Sequence, residues 1–500
     1  MDETRGFQDL PEPMGAQPSP ENGASVEELE FLSSARLPRT PGLGAEVGDW
    51  LEPETTSKCV ILAAGQGSRL REVAHSKPLH PLLGVPILER VIRTAMEAGL
   101  DEFYVVVGHQ AERLIPFLAE LSARLGARII PIQNTRWDQH ENGYSLLLAR
   151  DRLDGPFVLL MGDHLIEPAL VQRLLQCPVA EGEVLLAVDR RLDSPLVDPE
   201  DVTRVWVEGD RVQAIGKGLA AFNGYDTGVF LCTGAIFQGM EAALDRGNSS
   251  LSGAIQHLAD QGRVRAVDVS GLFWVDLDSP RALARAEEAL VDQLRTKPTD
   301  GPIARYLNRP LSSRLSRLLA RYPVTPNQIT LFAFALAGIA AGLFATGAGW
   351  ARVLGGLLAQ LASVVDGCDG EIARLKYLGS EYGGWLDAVL DRYADALLLF
   401  GLTWHLYTRG AGDWIWMAGV GAMVGSFMVS YTAVKYDDRI REEVRQGRAP
   451  GLRIGRDLRL FLIALAAVVD LVAPALVFLA VVMNGEAIRR LWVGRRAMAP

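Results

Sequence analysis

Four aspartates at helical spacing lie between Asp366 and Asp391, inside otherwise membrane-like sequence. Asp366 and Asp369 are three apart, and Asp387 and Asp391 four apart, so each pair shares one face of a helix. A carboxylate in the hydrocarbon region is costly and needs a partner, so several converging in apolar helices point to bound metal cations. The competing use is pairing with Arg374 and Arg392, or lining an ion path. Neither accounts for Gly370 and Gly383 in the same run. Those glycines leave room for a ligand to approach the helices, and Arg374 offers a fixed fork of donors to a phosphate.

A second chemical run is Leu62-Ala63-Ala64-Gly65-Gln66-Gly67-Ser68-Arg69-Leu70, with Lys77-Pro78 after it. It follows an apolar strand directly. A Gly-rich turn in that place exposes backbone N–H groups that can cradle a triphosphate. Arg69 and Lys77 are then placed to neutralise charge on a leaving pyrophosphate and an attacked α-phosphate. Gly162-Asp163 closes the strand 157–161, and Trp274-Val275-Asp276-Leu277-Asp278-Ser279 closes a later one. Carboxylates at strand ends sit where ligands bind in open α/β sheets. For Asp276 a plain turn or cap role is an equal alternative.

The elements that must hold these groups divide the chain of 500 residues. Residues 1–56 are rich in Pro, Gly, Ser and Glu with no apolar period, which predicts disorder. Their acidic start lacks an apolar stretch of the kind a cleaved signal peptide needs, so a cytoplasmic beginning is expected. Over 57–295, strand-like runs (59–64, 103–107, 128–132, 157–161) alternate with amphipathic stretches, which predicts a Rossmann-like α/β domain of three layers. Residues 296–323 read as a linker and an amphipathic helix. Its 303–321 part interleaves five arginines with apolar residues, as a helix on an anionic membrane surface would. Over 324–500, apolar segments at about 325–347, 350–370, 383–407, 412–434, 457–472 and 473–490 predict an all-α membrane domain of six transmembrane helices. Arginines at 305–321, 374, 435–459 and 489–496 fall on one side, which puts both termini in the cytoplasm.

The formal charge of −10 hides this division, because acidic residues dominate the soluble part and the membrane part is locally basic. No nucleic-acid partner is expected. Cys59, Cys177, Cys232 and Cys368 have no metal spacing and read as thiols in a reducing compartment.

The run Asp366, Asp369, Gly370, Ala373, Arg374, Gly383, Asp387 and Asp391 resembles the signature of the CDP-alcohol phosphotransferase family, spacing included. Members move a substituted phosphate from a CDP-activated alcohol to an acceptor hydroxyl and release CMP. The resemblance implies that the aspartates bind divalent ions on the diphosphate, that Gly370, Ala373, Arg374 and Gly383 face the nucleotide, and that Asp391 takes the acceptor's proton or shares the metal. The LAAGxGSRL string resembles the sugar-nucleotidyltransferase loop, which implies that Leu62, Ala63, Ala64, Gly65, Gly67 and Ser68 hold the nucleotide. It further implies that Asp163 and one of Asp278 and Asp276, the former preferred, bind Mg²⁺ or Mn²⁺. Asn142, in Asn142-Gly143-Tyr144-Ser145, resembles a nucleotide- or substrate-contacting segment. Lys217 would lie over the alcohol-phosphate pocket unless it is a solvated turn residue. The proline usual after Arg69-Leu70 is missing, which disfavours a hexose phosphate and fits the cytidylyltransferase branch.

The fusion of the two domains resembles the bifunctional inositol-1-phosphate cytidylyltransferase and di-myo-inositol phosphate phosphate synthase family over residues 58–495. That resemblance implies CTP and inositol 1-phosphate as substrates, CDP-inositol as intermediate, and a phosphorylated di-inositol phosphodiester, the precursor of a compatible solute, as product. It also implies contact with membrane lipid and a homodimer through the membrane domain. A phosphorylated acceptor calls for an arginine pocket, for which Arg456, Arg459 and Lys435 are candidates; lipid headgroups or topology are the other use of such arginines. Thr325-Pro326 looks like the capped start of the first membrane helix. The alternative chemistry is activation of phosphocholine or phosphoethanolamine for transfer to a lipid. An ion-conducting protein with a nucleotide-sensing domain is the alternative of another class.

Overall fold

The computed structural model describes residues 56–67, 76–295, 300–445 and 455–497, with side chains of 434–445 and 493–497 left out. The expected disorder of 1–56, along with Ser68 and Arg69, falls outside the described residues apart from Thr56.

The first strand, β1 (Lys58–Ala63), shows why the soluble domain is layered. Cys59, Ile61 and Ala63 pack into one apolar cluster, and Val60, Leu62 and Ala64 into another. The period of two places one cluster on each face of the sheet. After the short hairpin β2 (Pro81–Leu82) and β3 (Val85–Pro86) come helix α1 (Ile87–Glu97), β4 (Glu102–Val107), α2 (Ala111–Leu125) and β5 (Arg128–Gln133). Then follow α3 (Asn142–Leu147), β6 (Phe157–Met161), β7 (His164–Ile166), α4 (Pro168–Leu175) and β8 (Val184–Asp189). The strands β9 (Arg204–Glu208), β10 (Arg211–Gly216) and β11 (Gly224–Cys232) precede α5 (Ala235–Asp245) and α6 (Leu251–Ala259). The domain closes with β12 (Val264–Asp268), β13 (Trp274–Asp276) and α7 (Pro280–Arg295). Nine strands form one sheet in the order β5-β4-β1-β6-β11-β8-β12-β10-β9. The β5-β4-β1-β6 half is parallel, and β11 joins it antiparallel. Helices α1, α2 and α4 cover one face; α3, α5 and α6 cover the other. The expected three-layer domain is therefore observed.

A turn of π-helix at Ala304–Asn308 leads into α8 (Arg309–Leu319), where an amphipathic helix was expected. Its serine side is packed, with Ser312, Ser313 and Ser316 buried, while Arg314, Leu311 and Leu318 are exposed. Arg309 Nη1 donates to Glu371 at 2.9 Å and its Nε to Asp300 at 2.7 Å. Glu371 is fully buried. Replacing Glu371 with alanine leaves this guanidinium with only part of its charge compensation. We expect about 3 kcal/mol of destabilisation, read as a lower midpoint in thermal scanning of the detergent-solubilised protein.

Among the described residues six helices follow Thr325: α9 (Pro326–Ala345), α10 (Gly349–Leu375), α11 (Glu381–Thr408), α12 (Trp414–Arg445), α13 (Arg456–Val469) and α14 (Val472–Ala497). Thr325 and Gln328 form a reciprocal cap with Pro326 in the first turn, as the sequence suggested. Four segments, Pro326–Ala345, Gly349–Leu375, Trp414–Ala433 and Val472–Trp492, are long and apolar enough to cross a membrane. The other two helices differ for physical reasons. α11 carries Glu381, Asp387, Asp391 and Asp395, and α13 has only 14 residues. One apolar cluster nonetheless draws on all six helices.

The two domains meet at the β2–β3 hairpin. Leu83, at its tip, is buried with Val365, Cys368, Ile372 and Leu375 of α10 and Ile329 of α9. Buried Arg90 of α1 donates to the carbonyls of Leu82 and Leu375, at 2.8 Å each.

Candidate active sites

The first site is assembled at the carboxyl end of β1 and β6. Gly67 has φ +60°, and a Cβ there would lie 2.9 Å from Lys77 Cβ, so the turn needs glycine in order to pass over that lysine. Lys77 is buried, with 5% exposure. Its Nζ donates to Asp163 Oδ2 at 2.6 Å and to Asp278 Oδ1, and lies 3.9 Å from Asp276 Oδ1. The small sheet β7–β13 sets this arrangement, since its register pairs His164 with Asp276. The N–H of Leu277 also donates to the Asp163 carbonyl at 3.1 Å. His164 then spans the carboxylates, Nδ1 at 2.9 Å from Asp163 and Nε2 at 3.8 Å from Asp276.

A cavity of about 280 Å³ is lined by Leu62, Ala63, Gly65, Gly67, Lys77, Gly162, Asp163 and Asp278. Asp278 also borders a second cavity of about 340 Å³ with Asp198, Glu200, Asp201, Trp274 and Asp276. The buried carbonyl of Ala64 accepts from His109 N–H at 3.0 Å. Asn142 has a structural task, its Oδ1 accepting from Leu251 N–H at 3.1 Å. Lys217 is exposed and paired with Asp201 at 2.7 Å, so it reaches the second cavity only through that carboxylate.

Burial opposes the charge on Lys77, but Asp163, Asp278 and Asp276 outweigh it and hold the ammonium above its usual range. Burial opposes ionisation of Asp163 too, yet Lys77 and His164 hold its carboxyl below the usual range. Burial pushes Asp276 up to about 6 against the pull of His164. His164 is raised to about 9 because Asp276 and Asp163 overcome its desolvation. With metal chelated, a histidine whose folded pKa is raised stabilises the fold fully below its unfolded value, and that contribution is lost as pH rises through about 9. We expect wild type to lose on the order of 1–3 kcal/mol between pH 6.5 and 9.5 that His164→Asn does not lose. Denaturant titration in EDTA at several pH values measures the difference.

Ligand atoms of Asp163, His164 and Asp276 lie within 4.8 Å of one another. Asp276 Oδ1 is buried without a hydrogen-bond partner, which fits a cation ligand. This geometry brings Asp276 beside Asp163 and adds His164, which the sequence reading passed over although it adjoins Asp163, while Asp278 shares the cavity wall with Asp163.

The second site lies between α9, α10 and α11. Asp366, Asp387 and Asp391 bring carboxylate oxygens within 4.8 Å of one another, a hard oxygen set suited to a divalent cation. Asp369 is turned toward α9, accepting from Thr330 Oγ1 at 2.6 Å. It lines a cavity of about 280 Å³ with Asn327, Gly370, Ala373, Arg374, Gly383 and Asp387. A Cβ at Gly383 would come 3.0 Å from Asn327 Oδ1 and Ser380 Oγ, so a side chain on that wall would require those two side chains to shift. Arg456 of α13 reaches in and donates to Asp366 at 2.6 Å. Arg459 is buried beside Asp395, 3.4 Å away. The side chain of Lys435 falls outside the described residues. Asp395 was missed by the sequence reading, although it continues the four-residue spacing of Asp387 and Asp391.

Residues 59–312 match the family model of the MobA-like NTP transferase domain, and residues 323–491 that of CDP-alcohol phosphatidyltransferase. The chain is 40% identical over 445 residues to the bifunctional IPC transferase and DIPP synthase of Rubrobacter xylanophilus, covering 87% of this chain and 96% of that one. It belongs to the bifunctional IPC transferase and DIPP synthase family. The Aquifex aeolicus member of this family is 35% identical, with 85% of this chain and 95% of the relative covered. A solved structure, the inositol-1-phosphate CTP transferase from T. maritima, is similar at 28% identity and TM-score 0.43, covering 47% of this chain and 94% of that chain. As a member of the IPC transferase and DIPP synthase family, the chain is an enzyme with a nucleotidyltransferase and a CDP-alcohol phosphotransferase domain, the combination that the two signatures implied.

Proposed function

We propose that this enzyme forms CDP-inositol from CTP and inositol 1-phosphate. It then transfers the inositol phosphate group to a second inositol phosphate, releasing CMP. The observation that carries this reading is the presence in one chain of two carboxylate clusters, Asp163–His164–Asp276 and Asp366–Asp387–Asp391, each beside a cavity with a cationic side chain.

In the first step a phosphate oxygen of inositol 1-phosphate attacks the α-phosphorus of CTP and pyrophosphate leaves. The turn over Leu62, Ala63, Gly65 and Gly67 holds the triphosphate, and Lys77, with Arg69 from the sequence reading, compensates its charge. Mg²⁺ held by Asp163 with Asp276 or Asp278 would supply Lewis acidity and a template. The neighbouring acidic cavity supplies carboxylates to accept from polyol hydroxyls. Among the described residues its lining has one aromatic, Trp274, bound through Nε1 to Asp189 at 2.9 Å, rather than the cage that a trimethylammonium needs.

In the second step the acceptor hydroxyl attacks the inositol-bearing phosphorus of CDP-inositol and CMP leaves. Gly383 and Gly370 admit the nucleotide and Arg374 binds its phosphate. Asp391 takes the proton, and Arg456 and Arg459, with Lys435, receive the acceptor's phosphate. The boundaries 57–295, 296–323 and 324–500, six spans with cytoplasmic termini, and a homodimer through the membrane domain belong to the same proposal. The four apolar helices support it in part. Radiolabelled inositol 1-phosphate given with CTP should pass through CDP-inositol into a phosphodiester. Label that never leaves inositol 1-phosphate contradicts the proposal.

A further inference from the structure

Helix α11 carries a carboxylate one turn beyond Asp391, Asp395, on the same face of the helix. It is buried, yet it stands outside the trio Asp366, Asp387 and Asp391. Its Oδ2 accepts from Ser426 Oγ at 2.7 Å and lies 3.4 Å from Arg459 Nη2, while its Oδ1 accepts from Arg456 Nε at 3.3 Å. Arg459 is itself fixed by the Ser426 carbonyl at 3.1 Å and Ser430 Oγ at 3.3 Å, so Asp395 is pinned from two sides. The other edge of Arg456 behaves differently. Its Nη1 lies 2.6 Å from Asp366 Oδ2 and 2.6 Å from Asp391 Oδ1. One guanidinium thus joins two carboxylates of the metal-capable trio to one outside it.

A divalent cation on Asp366 and Asp391 would lie within a few Å of Nη1, so the two positive centres compete for these carboxylates. A cation that takes Asp366 and Asp391 weakens the hold of Nη1 on them, while the bond from Nε to Asp395 can persist.

We propose that Asp395 is a positioning residue for the second transfer. It retains Arg456 through Nε while the opposite edge of the guanidinium moves from Asp366 and Asp391 to the acceptor's phosphate. Arg456 is then an internal competitor of the cation before binding and a phosphate receptor after it. The inference rests on the assignment of Arg456 to the acceptor.

The test uses full-length protein in detergent with the soluble-domain cluster removed in every sample by Asp163→Ala and Asp276→Ala, and Mn²⁺ binding followed by electron paramagnetic resonance without substrates. Arg456→Gln should tighten Mn²⁺ binding about fivefold or more, and Asp395→Asn should weaken it by a comparable factor because Arg456 then holds Asp366 and Asp391 more firmly. In the Arg456→Gln background the effect of Asp395→Asn should shrink to less than about twofold. Equal effects of Asp395→Asn in both backgrounds, or no effect of Arg456→Gln on Mn²⁺, overturn the proposal. With the soluble cluster intact and CDP-inositol supplied, Asp395→Asn should raise KM for the acceptor about tenfold more than KM for CDP-inositol. An acceptor KM unchanged by Arg456→Gln would instead overturn the assignment on which the inference rests. If Asp395→Asn does not fold, Ser426→Ala, which removes one bond to Asp395 and no charge, should shift the acceptor KM in the same direction by a smaller factor. No shift overturns the proposal.

Discussion

Asp391→Asn is expected to lower CMP release by about 10³-fold while CDP-inositol formation from CTP persists. Asp391 combines two properties that asparagine lacks: it can take a proton and it brings anionic oxygen to the trio with Asp366 and Asp387. The first reaction uses none of these groups, because Lys77, Asp163 and Asp276 belong to a different domain. Two assays on one preparation measure this, pyrophosphate release with CTP and inositol 1-phosphate, and CMP release with supplied CDP-inositol. Loss of both activities in folded protein would contradict the assignment of two separate sites.

Lys77→Met should show the converse, about a 10³-fold loss of CDP-inositol formation with transfer from supplied CDP-inositol retained. The ammonium faces Asp163, Asp276 and Asp278 at once, so its removal takes away both a charge for the triphosphate and the neutraliser of three carboxylates. Unpaired charge of that kind costs about 3–5 kcal/mol. Mg²⁺ should offset part of that cost, so the variant's unfolding temperature should depend on Mg²⁺ more steeply than that of wild type. A variant that still makes CDP-inositol at the wild-type rate would remove Lys77 from the reaction.

Much of the architecture was legible because its signals are local. The unbroken apolar run 59–64 reports a strand buried on both faces of its sheet, Thr325-Pro326 reports a helix start, and the spacing from Asp366 to Asp391 places carboxylates on facing helices. What stayed hidden depends on partners distant in sequence. His164 enters the first cluster because β7 pairs with β13, and no local pattern encodes that register. Arg309 meets Glu371 across 62 residues, a pairing that fixes the serine side of α8 against α10 and that no local pattern announces. The bond that Asn142 Oδ1 accepts at the start of α6 was likewise invisible locally, because its donor, Leu251, is 109 residues away. The number of membrane crossings is weakly encoded for the same reason that the site exists: acidic residues of α11 lower the very hydropathy by which a span is recognised.

The most direct test of the central claim is phosphorus NMR of the detergent-solubilised protein supplied with CTP, Mg²⁺ and inositol 1-phosphate, beside a parallel sample containing phosphocholine. The account predicts that CDP-inositol resonances rise and then give way to a phosphodiester and CMP in the first sample only. A silent first sample together with CDP-choline in the second would contradict the substrate assignment.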